Sequence, residues 1–417
     1  MPTKSAELRR EGGAALLVLV LLLSGCGLLP GDERPEPLVQ GATSTQAVES
    51  ITSLLKQRAR AVRQRRADDF LGTVGGEQEF LVGQRTYIDN LQQLPLSTYR
   101  YSVVAASVRD LGAELEATVR LHRQLDGYDE VPVVTRHRMR FQRRDSTTGE
   151  LMVTAESLVP GQPGALAPWD IGPIVVRPGR GVLAIFDEGS AGHATGVVRA
   201  VERSLRPVRD AVPYEWPETV VVYALSDLRV LSSVDELPGG DADRLDGLAF
   251  PVRARPGGTR LAAHRFMLHP RMLHRDGLTR DRLIRHELTH VALGELDDQV
   301  PTWLSEGLAE YISVMPVAPQ DRVISRDALE WARAGVDELP PDDTFNGPHS
   351  GANYGLSWWA CEHIAATYGE EMLWRLFDAF REAETRDEQE SVLRRELGID
   401  SAELARQAAR RILSTFG

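Results

Sequence analysis

From Val48 the apolar positions recur every three or four residues, through Ile51, Leu55, Ala59 and Val62, which predicts an amphipathic helix with one buried stripe. Arg58, Arg60, Arg63, Arg65 and Arg66 lie among them and read as its solvated face. A shorter helical stretch around Phe80 to Leu91 follows, and then the period changes to two. Leu115, Ala117, Val119 and Leu121 alternate with Glu114, Glu116, Thr118, Arg120 and His122. In a later run Val133, Met139 and Phe141 share one face, and Arg136, Arg138 and Arg140 the other. Such alternation belongs to antiparallel strands buried on one side. Their arginine side reads as a solvated sheet face that could also serve for binding. The run Pro160-Gly161-Gln162-Pro163-Gly164, with Pro168 beyond it, is the best domain boundary in the chain. After it come a strand-like run from Gly181 to Phe186 and an amphipathic helix around Ala194 to Asp210. A β-rich stretch from Thr219 to Leu225 and a possible strand from His264 to Leu268 precede a series of helices.

These elements predict an α+β chain in two parts. Residues 46–159 form a small α+β domain whose order of helices and meander strands resembles the cone-shaped NTF2-like domains. Residues 160–169 are a linker, and 170–417 a larger mixed α/β domain. Composition narrows the partners. The 417 residues carry a formal net charge of −12 with no lysine-rich tail, which argues against nucleic acid. No P-loop and no GxGxxG between strand and helix is present, so no nucleotide is suggested. Only two cysteines, Cys26 and Cys361, occur, which excludes a disulfide framework.

The first residues stand apart from this pattern. Lys4, Arg9 and Arg10 precede an apolar run from Ala14 to Leu23. It is half the ~20 residues that a spanning helix needs, and has the size of a signal-peptide core. Leu23-Ser24-Gly25-Cys26 then resembles a bacterial lipobox, which implies cleavage after residue 25 and a lipid on Cys26. The expectation is a signal peptide over 1–25, a flexible Pro/Gly/Ser/Thr-rich tether over 26–45, and a chain lipid-anchored on the extracytoplasmic face of a cell membrane. Cys361 would then have no disulfide partner, and reads as a buried helix residue rather than a nucleophile.

The chemistry concentrates in His286-Glu287-Leu288-Thr289-His290. On a helix, residues four apart share a face, so both imidazoles can bind one ion. Zinc takes such nitrogen ligands tetrahedrally and keeps a position for water. Glu287, beside the first histidine, is placed to accept that water's proton. Leu283, Ile284, Leu288 and Val291 suit a buried helix, and Asp276-Gly277 with Thr279 suit its start. Two histidines leave the ligand set short. A second helix follows, with Pro301 near its first turn and the run Trp303-Leu304-Ser305-Glu306-Gly307-Leu308-Ala309-Glu310-Tyr311.

HELTH followed by WLSEGLAEY resembles the gluzincin zinc metallopeptidases, the thermolysin-like clan, and within it the peptidase-MA-like domains. The resemblance covers about residues 170–417. It implies a zinc peptidase acting on a peptide or protein substrate. It places the third ligand on Glu306, with Glu310 accepting a hydrogen bond from a ligating histidine. Glu306 follows His290 by sixteen residues and Glu310 by twenty, so spacing alone leaves Glu310 open as the ligand. Further on, Asn353-Tyr354-Gly355-Leu356-Ser357 opens an apolar helix ending at Tyr368-Gly369. The resemblance implies Tyr354 as the hydrogen-bond donor to a developing oxyanion, with His349 as the alternative. His264, His269 and His274 read as structural or surface groups. Two other functions stay open: a lipoprotein binding or assembly module with little turnover, and a zinc amidase acting on a cell-wall amide.

Overall fold

The computed structural model describes residues 40–144, 150–162, 164–234, 237–275 and 277–417. The expected signal peptide, the lipobox with Cys26 and most of the tether lie outside the described residues. Among the described residues no helix is long and apolar enough to cross a membrane.

The chain is mixed α/β. It opens with α1 (Gln40–Arg63), which begins inside the stretch read as tether, followed by α2 (Ala67–Leu71) and α3 (Gln78–Leu91). Next comes an antiparallel sheet of β1 (Leu96–Val103), β2 (Arg109–Asp110), β3 (Glu114–Leu125), β4 (Val133–Arg143) and β5 (Leu151–Leu158), in the order β1-β3-β4-β5 with β2 also on β3. The alternation along β3 is realised: Leu115, Ala117, Val119 and Leu121 are buried, the first three packing with Met139 and Phe141 on Ile51, Leu54 and Leu55 of α1, and Leu121 joining Ala59 and Val62 further along that helix.

Arg58 departs from the solvated face read for it. It is fully buried, donating to Tyr101 Oη at 3.2 Å and pairing with Glu156 Oε2 at 3.2 Å, with Gln84 also in contact. Helix α1 is covered on more than one side, so a lone charged residue among its exposed arginines turns inward to a buried carboxylate. Burial by itself would lower the Arg58 pKa, but Tyr101 and Glu156 raise it, so the guanidinium stays charged.

The second sheet holds β6 (Ile174–Gly179), β7 (Val182–Asp187), β8 (Val220–Tyr223), β9 (Gly247–Arg253) and β10 (Leu261–Leu268), in the order β6-β7-β8-β10-β9. Strands β7, β8 and β10 run parallel, whereas β6 and β9 are antiparallel outer strands. Helix α4 (Ala194–Ala211) makes the crossover from β7 to β8. The unbroken apolar run of β7 has a direct cause: Val182, Ala184 and Phe186 face α4, while Leu183 and Ile185 face the side that carries Trp169 and Leu121. A strand covered on both faces cannot alternate with polar residues. The first sheet is bound to the second by this shared core, by Glu130 N–H on Ala262 O at 2.8 Å, and by Asp129 pairing with Arg265 at 2.6 Å, both side chains buried.

Helices complete the chain: α5 (Pro270–Leu273), α6 (Gly277–Leu293), α7 (Thr302–Val314), α8 (Arg326–Ala334), α9 (Ser350–Tyr368), α10 (Glu370–Phe380), α11 (Arg386–Leu397) and α12 (Ser401–Phe416). Ile284 and Leu288 seat α6 in the core between α4 and α7. Cys361 is free and wholly buried on α9, and burial raises its thiol pKa.

Candidate metal centre

Helix α6 carries His286 and Glu287 on one turn and His290 on the next, the first two buried and the third half-buried. It stops at Gly294, whose φ of +58° is the left-handed conformation that closes a helix. The short turn Gly294–Gln299 then leads into α7, where Thr302 N–H is capped by Asp342 Oδ1 at 2.8 Å. Helix α7 lies tightly on α9 because residue 307 is glycine: a Cβ there would come within 2.6 Å of Ser357 O and 2.9 Å of Cys361 Sγ. That close approach brings Glu306 of α7 and Tyr354 of α9 to the histidines of α6.

Three donor atoms converge. His286 Nε2 and His290 Nε2 are 3.2 Å apart. Glu306 Oε2 lies 3.2 Å from the first and 3.3 Å from the second. A tetrahedral metal with bonds of about 2.05 Å would have donor–donor edges of about 3.3 Å. The histidines are oriented from behind. His290 Nδ1 donates to Asp297 Oδ2 at 2.6 Å, and Ser305 Oγ holds the other oxygen of Asp297 at 2.6 Å. His286 Nδ1 lies 3.4 Å from Glu310 Oε1, a charge contact without the alignment of a full hydrogen bond. Arg282 pairs with Glu310 in turn. With protons on both Nδ1 atoms, both Nε2 lone pairs point at Glu306 Oε2, a buried oxygen with no aligned donor. Three lone pairs at this separation repel unless a cation or protons sit among them. His286, His290 and Glu306 therefore fit a metal ion.

The same cluster can hold protons instead. Burial would lower the His286 pKa, but the carboxylates of Glu306 and Glu310 beside its two nitrogens raise it to about 9. His290 is pushed well above its usual value: burial opposes this, and the charges of Asp297 and Glu306 outweigh it. Glu306 moves the other way; burial would raise it, but His290 and His286 hold its carboxyl far below the usual range. Glu287 is not part of the triangle. It lies beside β9, and burial lifts its carboxyl above the ordinary value against the pull of His286 and His290. Gly247 makes room for it, since a Cβ at that position would stand 2.6 Å from Glu287 Oε1.

Tyr354 Oη lies 3.2 Å from Glu306 Oε1 and 3.3 Å from Asn346 Oδ1. Burial, and then the charge of Glu306, keep its phenol protonated far above the usual range. His349 is not brought to the triangle; its ring packs on Trp331, with centroids 5.3 Å apart. His269 caps α5 through Arg271 N–H at 3.1 Å, and the His274 ring packs edge-on against His193. A cavity of about 530 Å³ opens on the side of His286, Glu310, Trp358 and Val323. Another of about 410 Å³ opens on the side of His290, Asp297 and Ala249. His286, Tyr354, Glu287 and Gly247 line both, and His290 and Glu306 line the second, so the triangle faces a cleft.

Sequence reasoning missed Asp297 and Gly247. The signal for Asp297 was weak but present, an acidic run directly after the glycine that ends α6. For Gly247 there was none, because its partner is forty residues away along the chain.

No family model matches the chain, and no curated protein does. Among solved structures it is similar to a two-domain M1 zinc metallopeptidase, a mutant bound to L-arginine, at 16% identity over 66% of this chain and 59% of that one, with a TM-score of 0.33. It is also similar to an M1 zinc metallopeptidase from Deinococcus radiodurans, at 16% identity over 66% of this chain and 58% of that one, with a TM-score of 0.30. The chain thus spans somewhat under three fifths of each neighbour's length.

Proposed function

We propose that this chain is a zinc-dependent metallopeptidase with a gluzincin-type site, tethered by lipid on Cys26 to the extracytoplasmic face of a membrane. The observation that carries the peptidase reading is the triangle of His286, His290 and Glu306 donors with 3.2–3.3 Å edges. His286, His290 and Glu306 hold the ion, while Asp297 and Glu310 fix the two imidazole orientations. When bound, zinc polarises a carbonyl and makes water more acidic.

The chain's own groups do the rest. Glu287, its carboxyl raised by burial and aimed into the cleft, takes a proton from the attacking water and passes it to the departing amine as the C–N bond breaks. Tyr354, held as a phenol, donates to the carbonyl oxygen as negative charge develops there. A peptide suits the cleft because β9 is an outer strand with β10 on one side only. Gly247 and Ala249 of β9 line the same cavity as Glu287, so the free edge of this strand can lay an extended substrate beside the base.

The run Leu23-Ser24-Gly25-Cys26 supports the anchor, and the helices followed by a meander support an NTF2-like reading of residues 46–159. Fatty-acid labelling that survives in the wild type and vanishes in Cys26→Ser tests the anchor. For the chemistry, wild type and Glu287→Gln are compared for zinc content and for hydrolysis of a peptide library. The expected result is equal zinc with hydrolysis lost in the variant. Zinc-loaded wild type that cleaves no peptide, but releases amine from a cell-wall amide, would favour the amidase reading.

A further inference from the structure

The outer face of the first sheet carries a cluster of arginines that the peptidase site does not use. In the β1–β3–β4 register, Arg100 stands opposite His122, Arg120 opposite Arg136, and Thr118 opposite Arg138. Cross-strand partners share a face, so Arg100, Arg120, Arg136 and Arg138 lie together on the side away from α1. All four are exposed, as is Arg255 just after β9. Arg255 belongs to the same patch, since its charge reaches His122 together with those of Arg100 and Arg120; after the larger effect of burial, they push that imidazole down to about 4.

Among the described residues none of these five arginines has an ion-pair partner. The nearby carboxylates are engaged elsewhere: Glu116 with Arg140 at 3.5 Å, and Glu156 on the inner face with Arg58. Arginine placed directly across from arginine costs stability. A chain with net charge −12 has acids enough to relieve it, yet the two acids of this face on β3, Glu114 and Glu116, stand at the far end of the strand, opposite Gln142 and Arg140.

We propose that this arginine face docks on a membrane surface of anionic phospholipid. It rests on the reading that Cys26 tethers the chain to a membrane, since only thirteen residues separate Cys26 from Gln40. A guanidinium pairs with a lipid phosphate through two parallel hydrogen bonds. The face is the surface of a sheet with β-strand spacing between its charges, which suits a flat array of headgroups. Along β1, β3 and β4 the one ring this face offers for stacking nucleic-acid bases is the half-buried imidazole of His122.

The test uses the full chain carrying Cys26→Ser, so that no acyl chain contributes and the outcome does not depend on lipidation. Partition is measured on phosphatidylcholine vesicles and on vesicles that also contain phosphatidylglycerol. Binding is expected to be stronger on the anionic vesicles and to weaken with salt. Changing Arg120, Arg136 and Arg138 to Gln should reduce it roughly 100-fold, while Lys at the same positions should keep most of it. Unfolding temperatures of the variants, equal to or above that of the parent, exclude a folding defect. Anionic-vesicle binding unchanged by the three Gln substitutions would overturn the proposal. So would binding to polyglutamate with no preference for anionic over neutral vesicles, which would indicate an acidic protein partner. Loss of acyl labelling in the unmodified chain, with the anionic preference intact, would remove the anchor and leave the docking face standing.

Discussion

At the residue scale, the proposed centre depends on what stands behind its candidate ligands. Asp297 fixes the His290 ring with a 2.6 Å hydrogen bond and is itself held by Ser305. Replacing it with Asn or Ala should weaken zinc binding by about 10–100-fold while leaving the fold intact, as measured by competition with a calibrated chelator. Gly247 gives a sharper case. Its absent Cβ is where the Glu287 carboxylate sits, and the clashing atom is the end of a side chain rather than backbone. Gly247→Ala should therefore displace the base cheaply: zinc content and unfolding temperature near wild type, with kcat reduced at least tenfold, within the range general-base catalysis contributes (~10²–10⁴). An unchanged kcat would remove Glu287 from that role. The gathering of His286, His290 and Glu306 was legible in the sequence, because helical spacing pairs the histidines and the resemblance carried by the Trp-Leu-x-Glu-Gly run points to the glutamate. Arg58 was misread because a helix pattern identifies one buried stripe. It does not reveal that the opposite side is covered as well.

At the scale of elements, two contacts decide the site. One is the close crossing of α7 and α9 at Gly307, where a Cβ would meet the backbone carbonyl of Ser357. Backbone cannot swing aside as a carboxylate can, so Gly307→Ala should separate the helices. The expected cost is about 1–3 kcal/mol of stability, with a parallel loss of zinc affinity as Glu306 moves; denaturant titration and metal titration read the two effects. The other is the pH behaviour of the α6–α7 ligand cluster. In the metal-free protein His286 is raised to about 9 and His290 is also raised. Each therefore contributes stability that is complete below the unfolded value of about 6.5 and is lost as pH rises through the folded value. Zinc bound as proposed would displace these protons, so its own stabilisation would grow over the same range. The unfolding-temperature gap between zinc-loaded and chelator-treated protein should widen from pH 6.5 to 9. A gap that stays constant or narrows would mean that the histidines are not the proton-competing ligands. Helices and strands were readable from period, whereas which helix crosses which at a glycine depends on distant segments that no local pattern records.

For the molecule as a whole, the two sheets share one core, and the buried Asp129–Arg265 pair crosses between them. Breaking such a pair leaves a buried charge without compensation. Asp129→Ala should cost about 3–5 kcal/mol and lower the unfolding temperature of the entire described chain, followed by both zinc release and tryptophan fluorescence. If zinc release is untouched while fluorescence shifts, the sheets unfold independently. The composition near Pro160 reads as a domain boundary, whereas residues 41–417 form one compact unit, and the charged bridge across that stretch was not legible because Asp129 and Arg265 are far apart in sequence. The central claim is that His286, His290 and Glu306 hold one zinc ion, and it is tested most directly by metal analysis joined to X-ray absorption at the zinc edge. One zinc per chain is predicted, with two imidazole nitrogens and carboxylate oxygen at about 2.0–2.2 Å, and with the metal lost in Glu306→Ala but kept in Glu287→Gln. A wild-type chain that takes up no zinc, or a Glu306→Ala variant that retains it with the same coordination, would contradict the account.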